Sequence, residues 1–108
     1  MPNHNIKISV VRKRIKYDRE SVDVGPGDTI TWKMDTKDEM PFSVIVKSFI
    51  SPLEWGTAVS PKGKRSIVGT VRADAEPGYY HYGTSVWDGT DLLADDPEII
   101  VKPPKGRS

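Results

Sequence analysis

The sequence predicts an all-β protein, folded as one β-sandwich of about seven strands. Three observations carry that reading. Apolar and polar residues alternate in short runs, turn residues separate the runs regularly, and the chain holds a single weak helix signal.

A chain of 108 residues suits one two-layer core and is too short for two. Residues 1–108 therefore read as a single domain, with its core within 5–102 and a polar tail at 103–108. Hydrophobic residues make up 36% and charged residues 29%, a balance that fits a globular chain rather than a disordered or membrane one. The net charge is +1, so no global field draws the chain to nucleic acid or anionic lipid, and neither is expected as a partner. Cysteine is absent, which excludes disulfides, thiolate catalysis and cysteine-based metal sites. No apolar run is long enough to span a bilayer, and residues 1–5 lack a signal-peptide core. The expected location is the cytoplasm for the chain as written, or an exported site with the signal removed.

The first strand is Asn5–Val11, with Ile6, Ile8 and Val10 on one face. Arg12 to Lys16 is a basic run, read as a solvated strand end because Asp18, Glu20 and Asp23 follow at once. Val22 and Val24 suggest a short strand, ended by the turn Gly25-Pro26-Gly27-Asp28. Thr29–Met34 is the clearest core strand, with Ile30, Trp32 and Met34 inward. After a charged loop at 35–39, Phe42–Lys47 is a strand with Phe42, Val44 and Val46 on one face, and Ile45 suggests partial burial on the other. Ser51-Pro52-Leu53-Glu54 has the form of a capping box, which predicts a helical turn or two near Trp55. A basic turn at 61–65 precedes the strand 66–72, with Ile67 and Val71 inward. The strand opening at Gly78 places Tyr80, Tyr82 and Thr84 on one face and Tyr79, His81 and Gly83 on the other. A loop then carries Trp87 and an acidic stretch, and 97–102 closes the fold.

Three segments in order carry a family resemblance: Gly-Asp-Thr-Ile-Thr-Trp at 27–32, Pro-Phe-Ser-Val at 41–44 and Gly-Tyr-Tyr-His-Tyr-Gly-Thr at 78–84. Together they resemble the cupredoxins, the blue-copper sandwiches that include plastocyanin, and imply a Greek-key topology. The resemblance covers nearly the whole chain. It also implies where copper ligands would stand. The first histidine position falls on Phe42, the cysteine on Thr84, the second histidine on Trp87 and the methionine on or beside Leu92. Blue copper needs a thiolate, two imidazoles and a weak axial sulfur, and none of these four residues supplies one. No cofactor is expected, and the corner should be redox-silent.

Other chemistry is sparse. His4 and His81 are the two histidines; a metal site on them would need their strands to be neighbours, and no ligand spacing links them. Asp88, Asp91, Asp95, Asp96 and Glu98 could together take a hard cation, but they read better as a solvated acidic loop with one aspartate capping a turn. No nucleophile elbow, phosphate loop or zinc motif appears, so an enzyme is not expected. Met40, Trp55 and Trp87 are the candidate partner contacts, and the surface Met40, Phe42, Thr84, Trp87 and Leu92 is expected to bind a protein partner. The expected role is a non-catalytic binding or accessory module. The alternatives are a hard-metal or histidine-based metal-binding protein and a structural domain whose exposed sheet edge pairs with a second copy.

Overall fold

Each alternating stretch forms a strand in the computed structural model, which describes residues 2–35, 40–48, 50–60, 65–95 and 97–102. In chain order the strands are β1 (Asn3–Val11), β2 (Arg14–Tyr17), β3 (Ser21–Val24), β4 (Thr29–Met34), β5 (Phe42–Val46), β6 (Thr57–Val59), β7 (Ser66–Thr70), β8 (Gly78–Trp87), β9 (Leu92–Asp95) and β10 (Glu98–Val101). They build two sheets. The first runs β2-β1-β4-β7; the second runs β3-β10-β8-β5-β6, with β9 paired to β8. β1 lies parallel to β4 and β10 parallel to β3, while the other pairs are antiparallel, so the chain crosses between sheets as a Greek-key sandwich requires.

The core lies where the two inner faces meet. Ile6, Ile8, Ile30, Trp32 and Met34 come from the first sheet, and Phe42, Val44, Tyr82, Val86 and Ile99 from the second, all essentially buried. Each such side chain contributes roughly 1.5–3 kcal/mol through burial. Trp32 and Tyr82 tie the layers together: their rings meet edge to face at 5.5 Å, and the indole N–H donates to the phenol oxygen at 3.1 Å. Burial pushes the Tyr82 hydroxyl up to about 12, so it stays a neutral partner in the core.

Four expectations need correction. Ten strands form among the described residues against an expected seven or so, because β2, β6 and β9 add three or four residues each, too few for a period of two to stand out. The helical turn near Trp55 does not form, and no helix occurs among the described residues. Instead this segment lies along β7: Leu53 bridges Val71, and the Glu54 N–H donates to the Thr70 carbonyl at 3.0 Å. Those groups are spent on a neighbour, while the Ser51 hydroxyl accepts from the Leu53 N–H and donates to the Trp55 carbonyl. Ile45 is 39% exposed, more open than the expected burial on both faces of β5. The cations of Arg12 to Lys16 are solvated as expected, but the run forms a hairpin turn and a second strand rather than a strand end. Arg12 (φ 53°) and Lys13 (φ 66°) adopt the left-handed conformation that a two-residue turn between twisted strands demands.

The charged loop at 36–39, the basic turn at 61–64, Asp96 and the tail from 103 lie outside the described residues. Among those described, no helix is long and apolar enough to cross a membrane.

Candidate functional site

β8 organises the second sheet, pairing with β5 on one side and with β10 and then β9 on the other. Tyr80, Tyr82, Thr84 and Val86 face the core, and Tyr79, His81, Ser85 and Trp87 face outward. Gly83 also belongs to the outer row, but the aliphatic stem of Lys47 covers it; a Cβ there would sit 3.0 Å from Lys47 Cε.

This alternation separates the four positions that the copper comparison singles out. In the β5–β8 ladder Phe42 stands opposite Val86, and Thr84 opposite Val44, so both point into the core, 2% and 1% exposed. The Thr84 hydroxyl is hydrogen-bonded to the Tyr17 hydroxyl, which reaches over from β2 in the other sheet. Trp87 lies three residues beyond Thr84, an odd step along a strand, and therefore points outward. Leu92 stands directly opposite it on β9. Trp87 is 46% exposed and Leu92 68%. The pairs Phe42–Thr84 and Trp87–Leu92 thus occupy opposite faces of one sheet. Copper does not fit here. The inward pair offers a benzene ring and a hydroxyl already engaged by Tyr17, and the outward pair offers an indole and an alkyl chain.

The Trp87–Leu92 pair is held by the turn that joins β8 to β9. One Asp88 oxygen accepts the N–H groups of Thr90 and Asp91, at 2.9 and 2.7 Å. The other accepts from the Lys13 ammonium at 2.8 Å, and Lys13 also reaches Asp91 at 3.1 Å. The Asp91 N–H, then Lys13, then the Thr90 N–H hold the Asp88 carboxyl down at about 2. Asp88 is the capping aspartate of this stretch, and through Lys13 it fastens the β1–β2 hairpin to the β8–β9 turn. Nothing in the sequence links Lys13 to Asp88, 75 residues away.

The remaining candidates are dispersed. Met40 is half-buried against the core, beside the strand end where the Trp87 N–H donates to the Pro41 carbonyl at 3.0 Å. Trp55 is half-buried on the opposite flank. Its ring lies 5.8 Å from that of Trp32, and its indole N–H donates to the Val68 carbonyl at 3.0 Å. His4 and His81 lie in different sheets. His4 hydrogen-bonds the Asp28 carboxylate at 2.9 Å, and His81 stands 3.8 Å from Glu98. No three His, Asp or Glu side chains gather at metal-binding distance among the described residues.

No protein-family profile matches the chain, and no characterised protein matches it by sequence. Its architecture is that of the cupredoxin β-sandwich, in a chain without cysteine and with no metal-binding group of side chains among the described residues. The chain is similar to a variant of amicyanin in its reduced Cu(I) form, at 19% identity over 91% of this chain and 82% of that one, with a TM-score of 0.52. It is similar to a reduced auracyanin from Roseiflexus castenholzii, at 19% identity over 95% and 100%, with a TM-score of 0.51. It also matches a chain of a heme-copper terminal oxidase dimer at 14% identity and a TM-score of 0.50, spanning 65% of that chain's length.

Proposed function

We propose that this chain is a redox-silent binding or accessory module that performs no catalysis, and that it meets a protein partner through Trp87 and Leu92. The outward pair carries this reading. Two large apolar side chains stand side by side on a rigid hairpin, at the end of the sandwich that bears copper in proteins of this fold. Exposed tryptophan beside an apolar neighbour is the composition of an interface anchor. The neighbouring outer positions Ser43, Ile45, Val59, Ser85 and Ala94 carry no formal charge, so on that side an apolar surface can approach without stripping water from ions, while the Lys13, Asp88 and Asp91 ion pairs border the turn side. Trp55 contributes to folding under this reading rather than to contact, because its ring packs on Trp32.

Affinity capture from the native organism tests the proposal, using the wild type, Trp87→Ala and Leu92→Ser, each with its fold verified by circular dichroism. The variants are expected to lose a protein that the wild type retains. Equal capture by all three, with the fold intact, overturns the assignment of this surface. Sedimentation over a concentration range shows whether the partner is a second copy.

A further inference from the structure

The hairpin formed by Arg12 to Lys16 concentrates charge in a way its sequence alone does not reveal. Arg14 and Lys16 project from the outer face of β2, opposite Val11 and Ser9 of β1. On the next strand Lys7 stands directly opposite Lys33 of β4. Arg12 sits in the turn beside them. These five side chains are exposed, and none of them makes an ion pair among the described residues. Lys13 departs from the pattern by turning to Asp88 and anchoring the hairpin. Four acids stand close by: Asp88 and Asp91 are taken up by Lys13, the Asp18 carboxylate accepts the Lys7 backbone N–H at 2.8 Å, and Asp35 follows β4. Like charges directly opposite in a ladder are destabilising, so a face that gathers them without partners suits an anion from outside.

β2 is also an edge strand, hydrogen-bonded to β1 alone among the described strands, with β9 of the other sheet packed near it. The two-residue turn makes Val11 and Arg14 a hydrogen-bonded pair, and Ser9 and Lys16 the next. The peptide group of Ile15 between them therefore points away from β1. A groove of about 490 Å³ lined by Val11, Arg12, Arg14 and Lys16 runs beside it. Alternate side chains of an extended chain recur at about 6.6–7 Å, so Arg14 and Lys16 match acids placed at every second residue of an added strand.

We propose that the outer face of β1, β2 and β4 docks an acidic polypeptide segment in extended form, laid against the β2 edge. Single-stranded nucleic acid fits less well, because no aromatic side chain faces outward on these strands to stack a base. An anionic membrane fits less well too, because Val11 is the lone exposed large apolar residue there. This face belongs to the opposite sheet from Trp87, so the proposal stands apart from the function given above.

The test is fluorescence anisotropy with a labelled dodecapeptide of alternating glutamate and threonine. Dodecathymidylate and phosphatidylserine-containing vesicles serve as competing anions. The wild type is expected to bind the peptide more tightly than either competitor, with slowed amide exchange at Ile15. Reversing charge with Arg14→Glu and Lys16→Glu together is expected to weaken peptide binding about tenfold or more. The equal reversal Arg72→Glu with Lys102→Glu, at the far end, should change it by less than about twofold. Failure to bind the peptide, an equal loss in the far-end variant, or a competitor binding as tightly as the peptide each overturns the proposal.

Discussion

Gly69 is the point at which the packing role of Trp55 becomes measurable. It lies in β7, facing inward, under three side chains: a Cβ there would meet Trp55 Cζ2 at 3.0 Å, Leu53 Cδ1 at 3.2 Å and Trp32 Cζ3 at 3.3 Å. Trp32 cannot yield, being fully buried and bonded to the Tyr82 hydroxyl. Trp55 can swing outward, but then its indole N–H leaves the Val68 carbonyl. Gly69→Ala thus sets two effects against each other. Restricting the unfolded chain stabilises by about 0.4–1 kcal/mol, while overpacking costs about 1–3 kcal/mol. The clash is three-sided, so overpacking wins, with a net destabilisation of roughly 1–2 kcal/mol. Urea unfolding should show a lower midpoint at unchanged slope, with Trp55 fluorescence shifted to the red. In a Trp55→Ala background the same change should cost less by about 1 kcal/mol, the signature of direct contact. If Gly69→Ala costs the same in both backgrounds, or stabilises the protein, the ring is not packed there and Trp55 returns as a candidate contact.

Thr84→Val keeps the side-chain volume and removes the hydroxyl that meets Tyr17, so it should cost about 1 kcal/mol by denaturant midpoint. Combined with Tyr17→Phe it should cost less than the sum of the single changes, and strict additivity would show that the two hydroxyls do not interact. Acid stability should depend on Asp28 and Asp88. Burial alone pushes the Asp28 carboxyl up, but the Gly25 N–H and the His4 ring pull it further down, to below the usual carboxylate range. Asp88 is held at about 2. Below the ordinary carboxylate value of about 4 the unfolded chain takes up protons that these folded carboxylates refuse. Their contribution is therefore complete above the ordinary carboxylate range and lost as the pH falls through each lowered value, about 2 for Asp88. The melting midpoint of Asp28→Asn and of Asp88→Asn should fall less steeply across that window than the wild type's, and parallel curves would count against both interactions.

Where burial enforces alternation, the sequence is easily read. Thr29–Met34 keeps its apolar residues on one face because Ile30, Trp32 and Met34 line the sandwich interior, and the same holds for Tyr80, Tyr82 and Thr84 of β8. The short strands escape notice because two inward residues make no period; β9 contributes Leu93 and little else to the interior. The Arg12–Lys13 turn is hidden for a different reason. Left-handed residues are usually announced by glycine or asparagine, and here two long cations adopt that conformation while Lys13 is held by Asp88 and Asp91. At the candidate site, the resemblance names four positions but not the faces they take. That division depends on β8 continuing to Trp87, and Asp88-Gly89 was the available sign that a hairpin rather than an open ligand loop follows.

That these four positions cannot converge on one metal ion is tested most directly by placing copper ligands at them. The variant combines Phe42→His, Thr84→Cys, Trp87→His and Leu92→Met. Titrated with Cu(II), it is read by visible absorption, with native-like circular dichroism verified for it and for Thr84→Cys alone. Two of these positions face the core and two face outward across the same sheet. The folded variant should therefore show no thiolate-to-copper charge-transfer band. A stable blue protein with native-like circular dichroism would contradict this account, because it would place all four side chains around one point.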